Sequence, residues 1–226
     1  MPESDPIGEP FTLDPPGSIA VIGGGPLGIE AALYGRFLGY NIKVFEAKTL
    51  GANLIIPHDE SIPMLPDRCL SNLAVRALQT QSDEIGFTFP LTINTWVTGG
   101  LIPLAETDLL RGRVHTGCHV HQLDFVPVEL DDSEEDLIPA DFQLTYSQDQ
   151  GEKQQDDFES VIIATGTAFD IKLSMEQDAP YLFRIGAHQN DDWEQGFTLG
   201  LQEISAIFAK LGGRSDLDLY LSLIHI

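Results

Sequence analysis

Three glycines and one glutamate are the residues of this chain most suggestive of chemistry. Gly23, Gly25 and Gly28 form a G-x-G-x-x-G turn, and Glu46 stands eighteen residues after the last of them. Each position has a mechanical reason. Gly23 permits a tight turn out of a strand. Gly25, lacking a side chain, lets a pyrophosphate approach the backbone, and Gly28 lets the following helix pack close to the strand. Pro26 and Leu27 fill the turn at the head of that helix, where free N–H groups and a partial positive charge favour phosphates. Glu46, with Ala47 beside it, is placed to accept hydrogen bonds from both ribose hydroxyls of an adenosine. Its charge repels a 2′-phosphate, so the site prefers FAD or NAD over NADP. The competing account is a glycine-rich turn with nothing bound, which leaves the placement of Glu46 unexplained.

The remaining candidates carry weaker spacing arguments. His119 and His121 lie two apart on one face of a strand, a spacing that can bind a metal. With no third ligand identifiable, a solvent-facing pair is the simpler account. Cys69 and Cys118 are 49 positions apart and form neither a CxxC pair nor a zinc pattern, so they read as two inert buried thiols. The run from Glu129 to Asp136 holds six acidic residues and reads as a solvated loop. Trp96, Arg68 and Arg76 are candidates for a pocket wall, though ordinary packing or surface charge explains them as well. Gly196 and Gly200, one turn apart, suit either helix packing or close approach to a cofactor.

The glycine turn needs a strand before it and a helix after it. Ser18 to Ile22 is a short continuous apolar run, the mark of a buried parallel strand. Ile29 to Leu38 reads as a helix ended by Gly39, and Asn41 to Glu46 as a second strand, which together make a minimal βαβ unit. Residues 47–110 are broken by Pro57, Pro63, Pro66 and Pro90. A helix is expected over Leu70 to Leu78 with Ser71 near its start, a turn at Gly99–Gly100 and a short helix over Thr107 to Leu110. This stretch is expected to be an insert that packs on the domain and caps its pocket. Val114 to Val128 and Phe142 to Tyr146 read as strands, with polar turns over Glu129 to Asp136 and Gly151 to Asp157. Val161 to Ala164 is another buried strand, Tyr181 to Ile185 a short one, and Phe197 to Leu211 a helix. The fold expected is a three-layer α/β domain: a parallel sheet, helices on one face and an antiparallel β-meander on the other.

With these segments in place, a family resemblance is visible. Ser18 to Glu46 resembles the FAD-binding fingerprint of the two-dinucleotide-binding-domain flavoproteins, the superfamily of glutathione reductase, thioredoxin reductase and the flavin monooxygenases. Val114 to Val120 is similar to the family's strand that touches the adenine, with Val120 at the contact position. Ser160 to Gly166 is similar to its apolar strand ending in Ala164-Thr165-Gly166. Tyr181 to Ala187 is similar to its last signature, with Gly186 at the glycine. The resemblance implies a Rossmann-like FAD/NAD(P)-binding domain and an FAD-dependent oxidoreductase of unassigned small-molecule substrate. The chain departs from the family at three points. Ala187 stands where the family has an aspartate that binds the ribityl chain, with Asp191 and Asp192 as substitutes nearby. Only nineteen residues separate Gly166 from Gly186, too few for the family's nicotinamide domain. No redox CxxC is present. The resemblance therefore implies that electrons come from the substrate, a diffusing reductant or a separate partner. A non-catalytic FAD- or NAD-binding module and an NAD-dependent enzyme remain as alternatives.

Composition sets outer limits on these readings. The chain has 226 residues, 42% of them hydrophobic, enough to bury most of its unfolded surface without disulfide or metal staples. Its formal charge of -23 argues against a nucleic-acid or anionic-membrane partner. No run reaches the about 18 apolar residues of a membrane-spanning helix. Residues 1–16, with five prolines, read as an extended lead-in, and 17–220 as one FAD/NAD(P)-binding domain. Met1 to Asp14 carries no lysine or arginine, so it reads as no targeting peptide and the protein as cytoplasmic. The apolar tail 221–226 resembles translated adapter read-through, and the native chain is expected to continue differently past Tyr220.

Overall fold

The computed structural model describes residues 12–54, 59–81, 88–126, 141–149, 151–167, 170–176, 179–188, 192–214 and 216–222. Most of the lead-in, the acidic run 129–136, Asp191 and residues 223–226 lie outside the described residues.

Strand β1 (Ser18–Ile22) is the middle of the molecule. Helix α1 (Pro26–Phe37) follows, then β2 (Asn41–Phe45), paired in parallel with β1. The segment beyond carries α2 (Asn72–Gln81), α3 (Ile93–Trp96), a π-helical stretch Val97–Leu101 and α4 (Ile102–Ala105). Then come β3 (Val114–His115), β4 (Cys118–Val126), β5 (Asp141–Gln148), β6 (Lys153–Phe158), β7 (Ser160–Ile163), β8 (Lys172–Leu173) and β9 (Leu182–Arg184). Helix α5 (Trp193–Leu211) and the short α6 (Leu219–Ser222) close the order. The first sheet runs β3-β2-β1-β7-β9 with every pair parallel. The second runs β6-β5-β4-β8, antiparallel except for the β4–β8 pair.

The alternation of β1 explains why there are three layers. Successive side chains of a strand face opposite sides. Ile19 and Val21 enter the core formed with α1 and α5, through Ile29, Leu33, Ile204 and Phe208. Ala20 and Ile22 enter the other core, against Val120, Leu144 and Phe158 of the second sheet. Phe45, Val161 and Ile163 share that second core, while Val44 and Ile162 share the first. A strand buried on both faces must be apolar throughout, which Ser-Ile-Ala-Val-Ile nearly is. This is the Rossmann-like three-layer α/β arrangement expected. Leu13, at the end of the lead-in, is buried, donates from its N–H to Leu211 O (2.8 Å) and accepts from the Tyr40 hydroxyl at its carbonyl (2.8 Å).

Several expected elements are corrected. Gly99 and Gly100 form no turn; they lie in the π-helical stretch between α3 and α4. Two things hold this helix despite its glycines. Thr92 and Thr95 make a reciprocal capping box at its start, and Gly100 lies close under Trp96 and Leu70. Thr107 to Leu110 is a series of turns, with the Thr107 hydroxyl donating to Leu104 O (2.6 Å). The expected turn over Gly151 to Asp157 is mostly β6, an edge strand with only Phe158 buried. Its polar sequence carries no strand signal, and pairing with β5 decides it. α1 starts at Pro26 rather than Ile29, and α5 at Trp193 rather than Phe197. Among the described residues, no helix is long and apolar enough to cross a membrane.

Candidate functional site

β2 and β7 flank β1 on opposite sides, so the strand order runs outward to β3 on one side of β1 and to β9 on the other. In open α/β sheets such a switch point opens a crevice at the carboxyl ends of the strands. A cavity of about 390 Å³ lies there. It gathers eleven of the twelve residues that the sequence assigns to a dinucleotide site. The glycine turn contributes Gly23, Gly25, Pro26 and Leu27; the end of β2 contributes Glu46 and Ala47. Val120 comes from β4, Ala164, Thr165 and Gly166 from the end of β7, and Gly186 from the end of β9.

Gly28 is the twelfth, and it does not line the cavity. A Cβ there would fall 1.9 Å from the carbonyl oxygen of Gly23. Gly23 itself has φ +115°, a conformation L side chains rarely adopt. The two glycines thus hold the turn shut from behind while Gly25 faces the cavity. Gly28→Ala is expected to destabilise the fold by about 3 kcal/mol, since the clash is with backbone rather than a flexible side chain. Chemical denaturation of the variant measures this.

α1 begins without a side-chain cap. Gly25 is its N-cap, in extended geometry with no hydroxyl or carboxylate to offer, and the first turn holds no acidic residue. A Cβ built on Gly25 meets nothing within 4 Å, so the space in front of the helix end is open. Thr165 adds a buried hydroxyl with no hydrogen-bond partner among the described residues. Uncapped N–H groups, an open cradle and an unpartnered hydroxyl all fit an anionic, oxygen-rich ligand.

The Glu46 carboxylate ties two turns together. Its Oε2 accepts from Gly24 N–H (2.6 Å) and its Oε1 from Lys48 N–H (2.8 Å). Two carboxylate oxygens offer about four acceptor directions, so capacity remains for ribose hydroxyls. At the other end, Gly186 N–H donates to Oε2 of Glu203 (2.8 Å), a residue of α5 that sequence reasoning passed over. Oε1 of Glu203 lies 2.7 Å from His188 Nε2. Glu203 is three residues past Gly200, and nothing in its spacing signals contact with a distant loop. Asp192 is spoken for as the N-cap of α5, accepting from Gln195 N–H (3.0 Å). Asp170 and the stretch Gly51 to Leu54 also line the cavity without having been anticipated.

The other candidates resolve as follows. His119 lines the cavity mouth, its ring 4.7 Å from that of His121, which is bonded to Ser147 Oγ (2.8 Å). No group of three or more metal-ligating side chains occurs among the described residues. Cys69 and Cys118 are free and buried; burial pushes the Cys69 thiol up to about 12 and raises that of Cys118, which favours the neutral thiol in both. Arg68 and Arg76 line neither this cavity nor its neighbour. Trp96 walls a second cavity of about 240 Å³, which Gly196 lines too, while Gly200 packs against Leu27.

No family model and no curated protein matches the chain. Solved structures similar to it include the bacillithiol disulfide reductase Bdr of Bacillus cereus, at 16% identity and a TM-score of 0.47, covering 75% of this chain and 47% of that one. The S-allyl-L-cysteine S-oxygenase of Allium sativum gives 12% identity and a TM-score of 0.47, over 66% of this chain and 36% of that one. THI4 of Thermovibrio ammonificans gives 13% and 0.44, over 69% and 58%. The chain thus spans less than half the length of the first two structures.

Proposed function

We propose that this chain is the dinucleotide-binding part of an FAD-dependent oxidoreductase acting on a small-molecule substrate. The observation that carries the reading is the convergence of Gly25, Glu46, Val120, Thr165 and Gly186, from five separate segments, on one cavity at the switch point of the parallel sheet. In this reading the N–H groups at the head of α1 hold the pyrophosphate, with Gly25 giving it room. Glu46 holds the adenosine ribose. Glu203, bonded to Gly186 N–H, fixes the turn beside Ala187, where the resemblance leads one to expect an aspartate. When bound, FAD supplies two-electron redox chemistry; the protein binds it, orients it and shields it from water. With nineteen residues between Gly166 and Gly186, a nicotinamide donor, where one is used, binds outside that interval; the substrate itself, a diffusing reductant or a separate partner supplies the electrons.

The test is the visible absorption spectrum of the purified protein, with any released cofactor identified by chromatography. FAD that copurifies, or that a colourless protein takes up, is the expected result. Uptake of NAD with no affinity for FAD would overturn the reading in favour of an NAD-dependent protein. Glu203→Ala is expected to weaken FAD binding about three- to tenfold, because the carboxylate that holds the Gly186 N–H at the cavity wall is lost. Titration followed by flavin fluorescence measures it.

A further inference from the structure

A third cavity, of about 290 Å³, lies between the two sheets at their β3 and β6 edges. It shares no lining residue with the other two. Strand alternation decides which side chains face it. Val44 and Val114, partners across β2 and β3, pack into the first core. Their neighbours Lys43 and His115, with Asn41 and Arg113 two residues earlier, therefore take the face toward the second sheet. Asp156 and Phe158 reach the same space from β6.

Most of the polar groups there are already satisfied. Lys43 is paired with Asp156, which also accepts from the Tyr146 hydroxyl (3.1 Å). Ser18 Oγ donates to Glu159 (3.0 Å). Asp157 faces the other side of β6 and accepts from Gln143 Nε2 (3.0 Å). Arg113 and His115 are the exceptions. Arg113 donates from one terminal nitrogen to Asn41 Oδ1 (2.9 Å) and has no ion-pair partner among the described residues. That is unexpected in a chain with 35 acidic and 12 basic residues. Its charge also reaches Arg36, whose guanidinium is lowered first by burial and then by Arg113. Arg36 is held by the carbonyls of Leu109 and Tyr40, so it brings no anion to Arg113 either. The His115 ring makes no hydrogen bond among the described residues and lies 6.2 Å from the ring of Phe45. Burial and then the Lys43 charge lower its pKa, outweighing Asp156, so at neutral pH one ring nitrogen donates and the other accepts.

The cavity thus offers one oriented guanidinium and one neutral imidazole. A single full charge suits a single anionic group, and the planar fork of an arginine matches a carboxylate. Asp156 on the same face disfavours a dianion. Phe158 gives a short apolar tail a wall.

We propose that this cavity binds a small monocarboxylate, which takes two parallel hydrogen bonds from Arg113 and a third from His115. The cavity lies at Ser18 and Asn41, the first residues of β1 and β2, whereas the dinucleotide cavity lies at their last, Ile22 and Phe45. Binding here therefore does not rest on the FAD reading.

The test titrates the full chain with butyrate and follows the Arg113 Nε–H and His115 ring signals by ¹⁵N NMR, with and without saturating FAD. Both signals are expected to shift saturably with one midpoint, which FAD leaves unchanged. Butyramide, similar in shape but uncharged, is expected to bind at least about tenfold more weakly. Sulfate, a dianion, is expected to bind at least about fivefold more weakly. These comparisons need no variant, so they hold even where Arg113→Gln does not fold. That variant is expected to lose at least about tenfold in butyrate affinity, and Arg113→Lys, which keeps the charge without the fork, to recover only part of it. Absence of any saturable shift would overturn the proposal. So would butyramide or sulfate that binds as well as butyrate, since the cavity would then read shape alone or any anion. FAD that displaces butyrate would overturn the separateness of the site. Butyrate bound by a protein that takes up no FAD would sink the FAD reading and leave this site standing.

Discussion

Gly25→Val is expected to leave the protein folded and to abolish its affinity for a dinucleotide. The backbone at Gly25 is extended, with φ -78° and ψ -179°, which any L residue adopts. A Cβ there touches nothing within 4 Å, so the branch point of a valine is accommodated on folding. The cost to stability is that of a poorer N-cap, about 1 kcal/mol. The same empty space is the front of the helix end, where the cavity is open. Branched methyl groups in it exclude phosphates from the amides of α1. Affinity for FAD is expected to fall at least about 100-fold, or about 3 kcal/mol. Gly28→Ala makes the contrast: one methyl, pressed against Gly23 O, damages the fold itself. Melting curves and FAD titrations on both variants separate the two roles. Unchanged FAD affinity in a folded Gly25→Val protein would remove the glycine turn from the binding site.

The difference between those glycines shows what was legible in the sequence. The G-x-G-x-x-G spacing and Glu46 are local. They sit within one βαβ unit, whose strand and helix patterns are strong because β1 and most of α1 are buried. Ala164-Thr165-Gly166 and Gly186 were readable only through the resemblance to the flavoprotein signatures, each following a short strand. Glu203, Asp170 and Leu54 reach the site through tertiary packing from segments with no pattern of their own, so no spacing could announce them. β6 was hidden for a related reason. Lys-Gln-Gln-Asp-Asp-Phe is polar because it is an edge strand, and its pairing is dictated by β5. Gly99 and Gly100 misled in the opposite direction, because glycine normally punctuates a chain and here sits inside a helix held by the Thr92–Thr95 cap.

Glu30 sets a second large expected effect, this one on stability. It lies on α1, is 1% exposed, and receives the Ser71 N–H at Oε1 (2.9 Å) and the Ser71 hydroxyl at Oε2 (2.6 Å). Ser71 in turn caps α2 by accepting from Ala74 N–H (3.0 Å). The pair therefore clamps the helix that carries the glycine turn to the 47–110 segment. Burial outweighs both hydrogen bonds and raises the Glu30 carboxyl from 4.5 to about 7. The thiol of Cys69 and the phenol of Tyr220 feel its charge, and neither offers a compensating cation. A carboxyl raised on folding binds its proton more tightly in the native state than in the unfolded chain. Its contribution is fully present below pH 4.5, shrinks as pH rises through about 7, and is gone above that, when both states are ionised. The loss across that window is about 3 kcal/mol. Glu30→Gln keeps the shape and one acceptor and cannot ionise. The stability of the wild type relative to Glu30→Gln is thus expected to fall by about 3 kcal/mol between pH 4.5 and pH 8, or roughly 6–12 °C in melting temperature for a chain this size. Urea denaturation of both proteins across that range measures it. Parallel pH profiles would show that the Ser71 hydrogen bonds, which favour the charged carboxylate, offset its burial and that Glu30 ionises in the folded state as it does in the unfolded one.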